Sequence, residues 1–155
     1  MPTPPDSSSA ALIEHILNTF HEGHRRDLPA LINLARQLPT TGAAPSFADE
    51  LQALMLDLEA HMFKEEMRLF PMMEQGGNTL IGLLINDMEQ EHARHSQHTP
   101  QMTARLAALQ VPPDHQTTLN ALRTGWQAFL DELAQHVAAE DNGLFLMFKT
   151  PDTDV

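Results

Sequence analysis

Two stretches of the chain place a carboxylate where an apolar residue belongs. HMFKEEMRLFP (residues 61–71) and HVAAEDNGLFL (residues 136–146) both fit His-x-x-x-Glu-x-x-x-Leu-Phe. The first supplies His61, Glu65, Leu69 and Phe70, the second His136, Glu140, Leu144 and Phe145. In each, His and Glu continue a helical apolar stripe: Leu51, Leu54 and Leu58 lead into the first, Leu119, Leu122, Trp126, Phe129 and Leu133 into the second. An ionised carboxylate in an apolar core costs on the order of several kcal/mol unless a cation pairs with it. No Lys or Arg falls on an inward position nearby. Whatever fold the chain adopts must supply that cation.

The rest of the chain repeats the helical period. Ile13, Leu17, His21, His24, Leu28, Leu31, Ala35 and Leu38 form a first stripe, with Pro29 inside it, where its ring should clash with the Arg25 carbonyl and kink the helix. LPTTGAAPS (residues 38–46) reads as a turn, and Ser46 with Asp49 as the capping pair of a second helix running to about Met73. GGN at 76–78 breaks that helix. A third follows a 4-3 spacing through Ile81, Ile85, Met88, His92, His95, Thr99, Met102, Leu106 and Leu109, and PPD at 112–114 separates it from the fourth. No segment alternates like a strand. The pattern predicts an all-α, antiparallel up-down-up-down four-helix bundle over residues 10–148, after a disordered lead-in at 1–9 and before a tail at 149–155.

That topology brings the start of the first helix, the end of the second, the start of the third and the end of the fourth to one rim. His21, His61, His92 and His136 then all lie about 11 or 12 residues from the rim, and Glu65 and Glu140 about 8. At ~1.5 Å per residue the four histidines share a layer ~17 Å deep, with the two carboxylates ~6 Å nearer the rim.

Composition narrows the chemistry. With 155 residues and a net charge of −12, the chain suits neither a phosphate backbone nor an anionic membrane, and no apolar run is long enough to span one. The absence of Cys excludes disulfides and thiolate ligands, and the absence of Tyr excludes a tyrosyl radical. The N-terminus lacks the features of a signal peptide, so the expected location is the cytoplasm. Four imidazoles and two carboxylates suit two ions, each held by two histidines and both bridged by the glutamates. Nitrogen and oxygen donors without sulfur favour iron, manganese or zinc. The Glu-x-x-His pattern of ferritin-like di-iron bundles occurs only as Glu89–His92 and is not the repeated motif. His24 and His95 fall about a turn deeper, each an additional ligand or, as the leading expectation, an outer hydrogen-bond partner. His15, His98 and His115 are expected in solvent, and Met62, Met88 and Met102 as packing.

FHEGHRRDLPAL, HMFKEEMRLFP, MEQEHARH and HVAAEDNGLF, in this order and at these spacings, resemble the hemerythrin-like domain of the repair-of-iron-centres (RIC) proteins over about residues 11–148. The resemblance implies a non-haem di-iron site with ligands His21, His61, His92 and His136 and bridging Glu65 and Glu140. It also implies binding of NO or O2 and iron handling under nitrosative or oxidative stress, with iron-sulfur proteins as prospective partners. Full-length members carry an N-terminal cysteine-containing segment that this sequence lacks, which puts thiol-dependent iron delivery in doubt. Leu146 stands where the family has proline, and Ser96 where hemerythrins proper have a further histidine. Fewer protein ligands leave coordination positions open. Two other functions fit the same residues: an O2 carrier or sensor without catalysis, and a structural bundle holding zinc.

Overall fold

Side-chain caps set where the first two helices begin. Ser8 Oγ accepts from the Ala11 N–H at 3.0 Å. Ser46 Oγ accepts from the Asp49 N–H at 3.2 Å while the Asp49 carboxylate accepts from the Ser46 N–H, the reciprocal capping pair read from the sequence. The structure, a computed structural model, describes residues 8–39 and 46–149. Most of the expected lead-in (1–7), the heart of the first turn (40–45) and most of the tail (150–155) lie outside the described residues.

Helix α1 runs without a break through Ser9–His15, Ile16–His21 and Glu22–Arg36. Helix α2 runs through Phe47–Lys64, Glu65–Leu69 and Phe70–Glu74, and α3 spans Ile81–Ala108. After a 3-10 turn at Pro113–His115, α4 runs through Gln116–Ala139 and Glu140–Leu144 and closes in a 3-10 turn at Phe145–Met147. Among the described residues there is no strand, and no helix is long and apolar enough to cross a membrane.

The helices alternate in direction. The start of α1 packs on the end of α2, Arg105 near the end of α3 pairs with Glu50 at the start of α2, and Lys149 beyond α4 reaches Glu89 near the start of α3. Gly76 and Gly77 turn the chain out of α2 with φ of +96° and +86°, and the Gly77 N–H returns to the Met72 carbonyl at 2.8 Å. The Arg123 guanidinium donates to the carbonyls of Leu106, Ala107 and Leu109, satisfying the last turn of α3. Pro29 and Pro100 sit inside helices that stay helical through them. Both face solvent, where water can serve the carbonyls their missing N–H groups leave free.

Three short segments, Ile16–His21, Glu65–Leu69 and Glu140–Leu144, are π-helical, closed by i→i+5 hydrogen bonds. Their cause is visible in the spacing of the inward residues. His61, Glu65 and Leu69 recur every fourth residue, as do Ile16, Phe20 and His24, and His136, Glu140 and Leu144. A regular α-helix at 3.6 residues per turn would rotate such a row off the core, and a wider turn keeps it in line. Helix α3 alternates steps of four and three and contains no π segment.

The core is divided. Toward the rim, Ile13, Ile16, Phe20, Leu69, Phe70, Met73, Ile81, Ile85, Met88, Leu144 and Phe145 form one buried cluster. A larger one around Leu28, Leu51, Leu58, Met102, Leu122, Trp126 and Phe129 fills the other end. Between them lies a polar layer. Two glycines test the backbone argument. Gly77→Ala forces a side chain onto positive φ and is expected to lower stability by about 1–2 kcal/mol. Gly82→Ala, in α3 with open space around its Cβ, is expected to raise it by about 0.5 kcal/mol. Denaturant melts of the two variants check the opposite signs.

Candidate metal centre

All six residues read from the sequence meet in the layer between the two apolar clusters. His21, Glu65 and Glu140 are 0% exposed, His61 and His136 1% and His92 5%. They form two groups that share both carboxylates: His21, His136, Glu65 and Glu140 in one, His61, His92, Glu65 and Glu140 in the other, with donor atoms within 4.8 Å of one another in each. The glutamates divide their oxygens between the groups. Glu65 Oε1 lies 3.0 Å from His21 Nε2 and its Oε2 3.3 Å from His61 Nε2. Glu140 Oε2 lies 3.1 Å from His136 Nε2 and its Oε1 3.0 Å from His92 Nε2.

Two observations test whether a cation fits. Glu65 Oε2 and Glu140 Oε1 are buried without an aligned hydrogen-bond donor, a costly condition that a metal ion would relieve. The Nε2 atoms of His61 and His92 face each other at 3.1 Å, a spacing suited to two ligands of one ion at ~2.1 Å each. The donor set, all imidazole and carboxylate, suits iron, manganese or zinc.

His21, His61, His92 and His136 each present Nε2 inward, with Nδ1 engaged from outside. Glu66 takes His21 Nδ1 at 2.7 Å, Glu91 takes His61 Nδ1 at 2.7 Å and Asp141 takes His92 Nδ1 at 2.8 Å. His24 Nε2 meets His136 Nδ1 at 3.0 Å, the outer role expected of it. Such partners fix the tautomer and aim the ring. The carboxylates are themselves held, Glu66 by two hydrogen bonds from Arg25 and Glu91 by Lys64. The sequence reading missed Glu66, Glu91 and Asp141, although each is the immediate neighbour of an inward residue. An acid one place from a ligand points toward the adjoining helix, and that was the available signal.

His95 differs from expectation. It is buried, but its Nε2 bonds to Asp57 at 2.7 Å, and it meets His61 only as a ring at 6.0 Å. His15 and His98 are exposed and His115 half-buried. Met62, Met88 and Met102 are core packing.

Three phenylalanines cover the layer from the rim side. Phe20 stacks on His136 at 5.3 Å, Phe70 on His21 at 5.8 Å and Phe145 on His92 at 6.1 Å. This accounts for the Leu-Phe that ends each motif: the leucine fills the rim cluster and the phenylalanine roofs a histidine on the preceding helix.

Burial and crowding displace the protonation equilibria of the metal-free site. Burial, reinforced by the charge of Glu140, pushes the Glu65 carboxyl well above the usual range. Burial acts to raise Glu140 as well, but the His136 charge and hydrogen bonds with His136, His92 and Glu65 hold it well below. The two carboxyls are thus driven apart, Glu65 toward its protonated form and Glu140 toward its ionised form. Burial lowers His61 to about 4 against the pull of Glu140, and lowers His24 to about 3. His92 goes the other way: burial opposes its charge, yet Asp141 and Glu140 raise it to about 9.

Residues 12–148 match the Hemerythrin HHE cation binding domain. The chain is 35% identical over 144 residues, 90% of its length, to the iron-sulfur cluster repair protein YtfE of Dickeya chrysanthemi (strain Ech1591), of which it spans 65%. It is 31% identical to a probable iron-sulfur cluster repair protein of Haemophilus influenzae, again over 90% of its length and 65% of the relative. Against YtfE of Escherichia coli O1:K1 / APEC the identity is 34%, over 88% of this chain and 64% of the relative. The chain thus spans a little under two thirds of these relatives. With a match across nearly all of the four helices and two buried His/Glu groups that could hold metal, the chain belongs to the hemerythrin HHE cation-binding family.

Proposed function

We propose that the protein is a cytoplasmic non-haem di-iron protein that binds NO or O2 and handles iron under nitrosative or oxidative stress. In this reading His21 and His136 hold one ion, His61 and His92 the other, and Glu65 and Glu140 bridge both. The observation that carries it is the division of each carboxylate between the two histidine pairs, with Glu65 Oε2 and Glu140 Oε1 each lacking an aligned hydrogen-bond donor. Held by these residues, two irons would supply exchangeable electrons and bind a diatomic ligand. The protein's own part is preparatory. Glu66, Glu91, Asp141 and His24 aim the imidazoles, and Phe20, Phe70 and Phe145 keep water from the rim side. The names of the relatives support iron supply to damaged iron-sulfur proteins as the outcome, with those proteins as partners.

Anaerobic loading with Fe2+ followed by metal analysis is expected to give close to two irons per chain. A reproducible value of one or less would exclude the dinuclear reading. NO added anaerobically to the ferrous protein should then be taken up with a change in its EPR spectrum. N2O in the headspace would identify a reductase, and reversible oxygenation without NO chemistry would favour the O2-carrier alternative.

The bridging role makes a sharper demand. Glu65→Ala or Glu140→Ala removes an anionic donor from both positions and is expected to bring iron well below two per chain. His95→Ala removes a ring bonded to Asp57 and should leave the count near two. The reverse pattern would mean that the ligands lie deeper in the bundle.

Protons report the same assignment. In the metal-free site His92, against the opposing effect of burial, is raised to about 9 by Asp141 and Glu140 and so is protonated at pH 7, and burial pushes the Glu65 carboxyl toward its protonated form. Ligation displaces the His92 proton, so loading should release at least one proton per chain and apparent affinity should rise with pH toward about 9. Calorimetric titrations in buffers of different ionisation enthalpy measure this. Loading without proton release would contradict ligation through His92.

A further inference from the structure

The helix pairs α1–α2 and α3–α4 build the centre in the same way, and the likeness fails in the groups that back the histidines. His21 corresponds to His92, His61 to His136, Glu65 to Glu140, Glu66 to Asp141 and Phe70 to Phe145. The residue before His92 is Glu91, which takes the Nδ1 of His61. The residue before His21 is Phe20, which stacks on His136 and offers no hydrogen bond. The Nδ1 of His136 is met by His24 instead.

We propose that the two metal positions are inequivalent: the His61–His92 position is the tight one and the His21–His136 position the exchangeable one. This rests on the dinuclear reading above and adds which ion leaves first.

At the first position both imidazoles face carboxylates, Glu91 at 2.7 Å and Asp141 at 2.8 Å. Among the described residues no Lys or Arg lies within ion-pair distance of Asp141, so its charge acts on His92 undivided. Glu91 is shared with Lys64 and, at 3.9 Å, with Arg94. At the second position only His21 has a carboxylate, and Glu66 is drawn away by two hydrogen bonds from Arg25. The partner of His136 is an imidazole that is 0% exposed, and among the described residues its Nδ1 has no hydrogen-bond partner. A carboxylate accepting the outer N–H makes an imidazole a stronger donor, and loss of one such partner typically weakens metal binding about 10- to 100-fold.

Each bridging oxygen already faces an imidazole Nε2: Glu65 Oε1 and Glu140 Oε2 on the His21–His136 side, Glu65 Oε2 and Glu140 Oε1 on the other at 3.3 and 3.0 Å. The carboxylates therefore do not distinguish the two positions, and the outer partners of the imidazoles do. A half-loaded protein therefore holds its ion between His61 and His92, and an ion passed to an acceptor leaves from between His21 and His136.

Two conservative variants at partly exposed acids separate the positions. Metal-free protein is titrated anaerobically with Fe2+ by calorimetry. Asp141→Asn is expected to weaken the first binding step by about tenfold or more and leave the second nearly unchanged. Glu66→Gln should weaken the second step and spare the first. Equal effects of both variants on both steps, or the reverse assignment, would overturn the proposal while leaving two irons per chain intact. A wild-type total of one or less would remove the dinuclear reading and this inference together. A measurement on the unaltered protein stands beside these. A ferrous chelator added to fully loaded wild type should remove about one iron per chain in a fast phase and the other slowly, whereas single-phase loss of both overturns the proposal.

Discussion

Two carboxylates buried side by side at one level of an apolar bundle govern the rest of this structure. Neither Glu65 nor Glu140 touches solvent, and among the described residues neither has a Lys or Arg partner. Such a pair is tolerable in only a few ways: one carboxyl keeps its proton, neighbouring imidazoles donate to the pair, or a cation sits between them. The metal-free arrangement uses the first two, with Glu65 pushed up and four histidines crowding the pair. Everything nearby serves that layer. The apolar clusters seal it from both ends, and the outer carboxylates hold the rings so that Nε2 faces inward.

The same constraint reaches the backbone. Setting a histidine, a glutamate and a leucine in one inward row requires steps of four, which an α-helix does not keep in register. Helices α1, α2 and α4 respond with a π turn at the level of the centre, and α3, which contributes one ligand at regular spacing, needs none. The wider turns are thus a local consequence of the inward pattern. They place Glu65 and Glu140 at the head of equivalent segments in the two halves of the molecule.

Much of this was legible beforehand. Helix number, direction and the six inward residues followed from periodicity, breakers and the distance of each residue from the rim. Those signals are local, and short connections leave little freedom in topology. The capping pair at Ser46 and Asp49 was equally local. Less legible were Glu66, Glu91 and Asp141, because an acid on the flank of a helix looks like any solvated charge until the neighbouring helix is in place. His24 and His95 illustrate the limit. They occupy equivalent places after His21 and His92 and read alike, yet one is enclosed against His136 and the other turns to Asp57.

By itself the sequence determined the four helices, their alternation and the level at which polar residues gather, since each depends on spacing along one chain and on the cost of burying charge. It also carried, unread, the four-residue steps that open the π turns. Only the tertiary structure decided which oxygen of each glutamate faces which histidine pair, which outer group holds each ring, and that His136 is backed by an imidazole where His61 is backed by a carboxylate. Those outcomes depend on the rotation of one helix against another. A turn of a few tens of degrees exchanges one flanking residue for the next without altering the inward pattern.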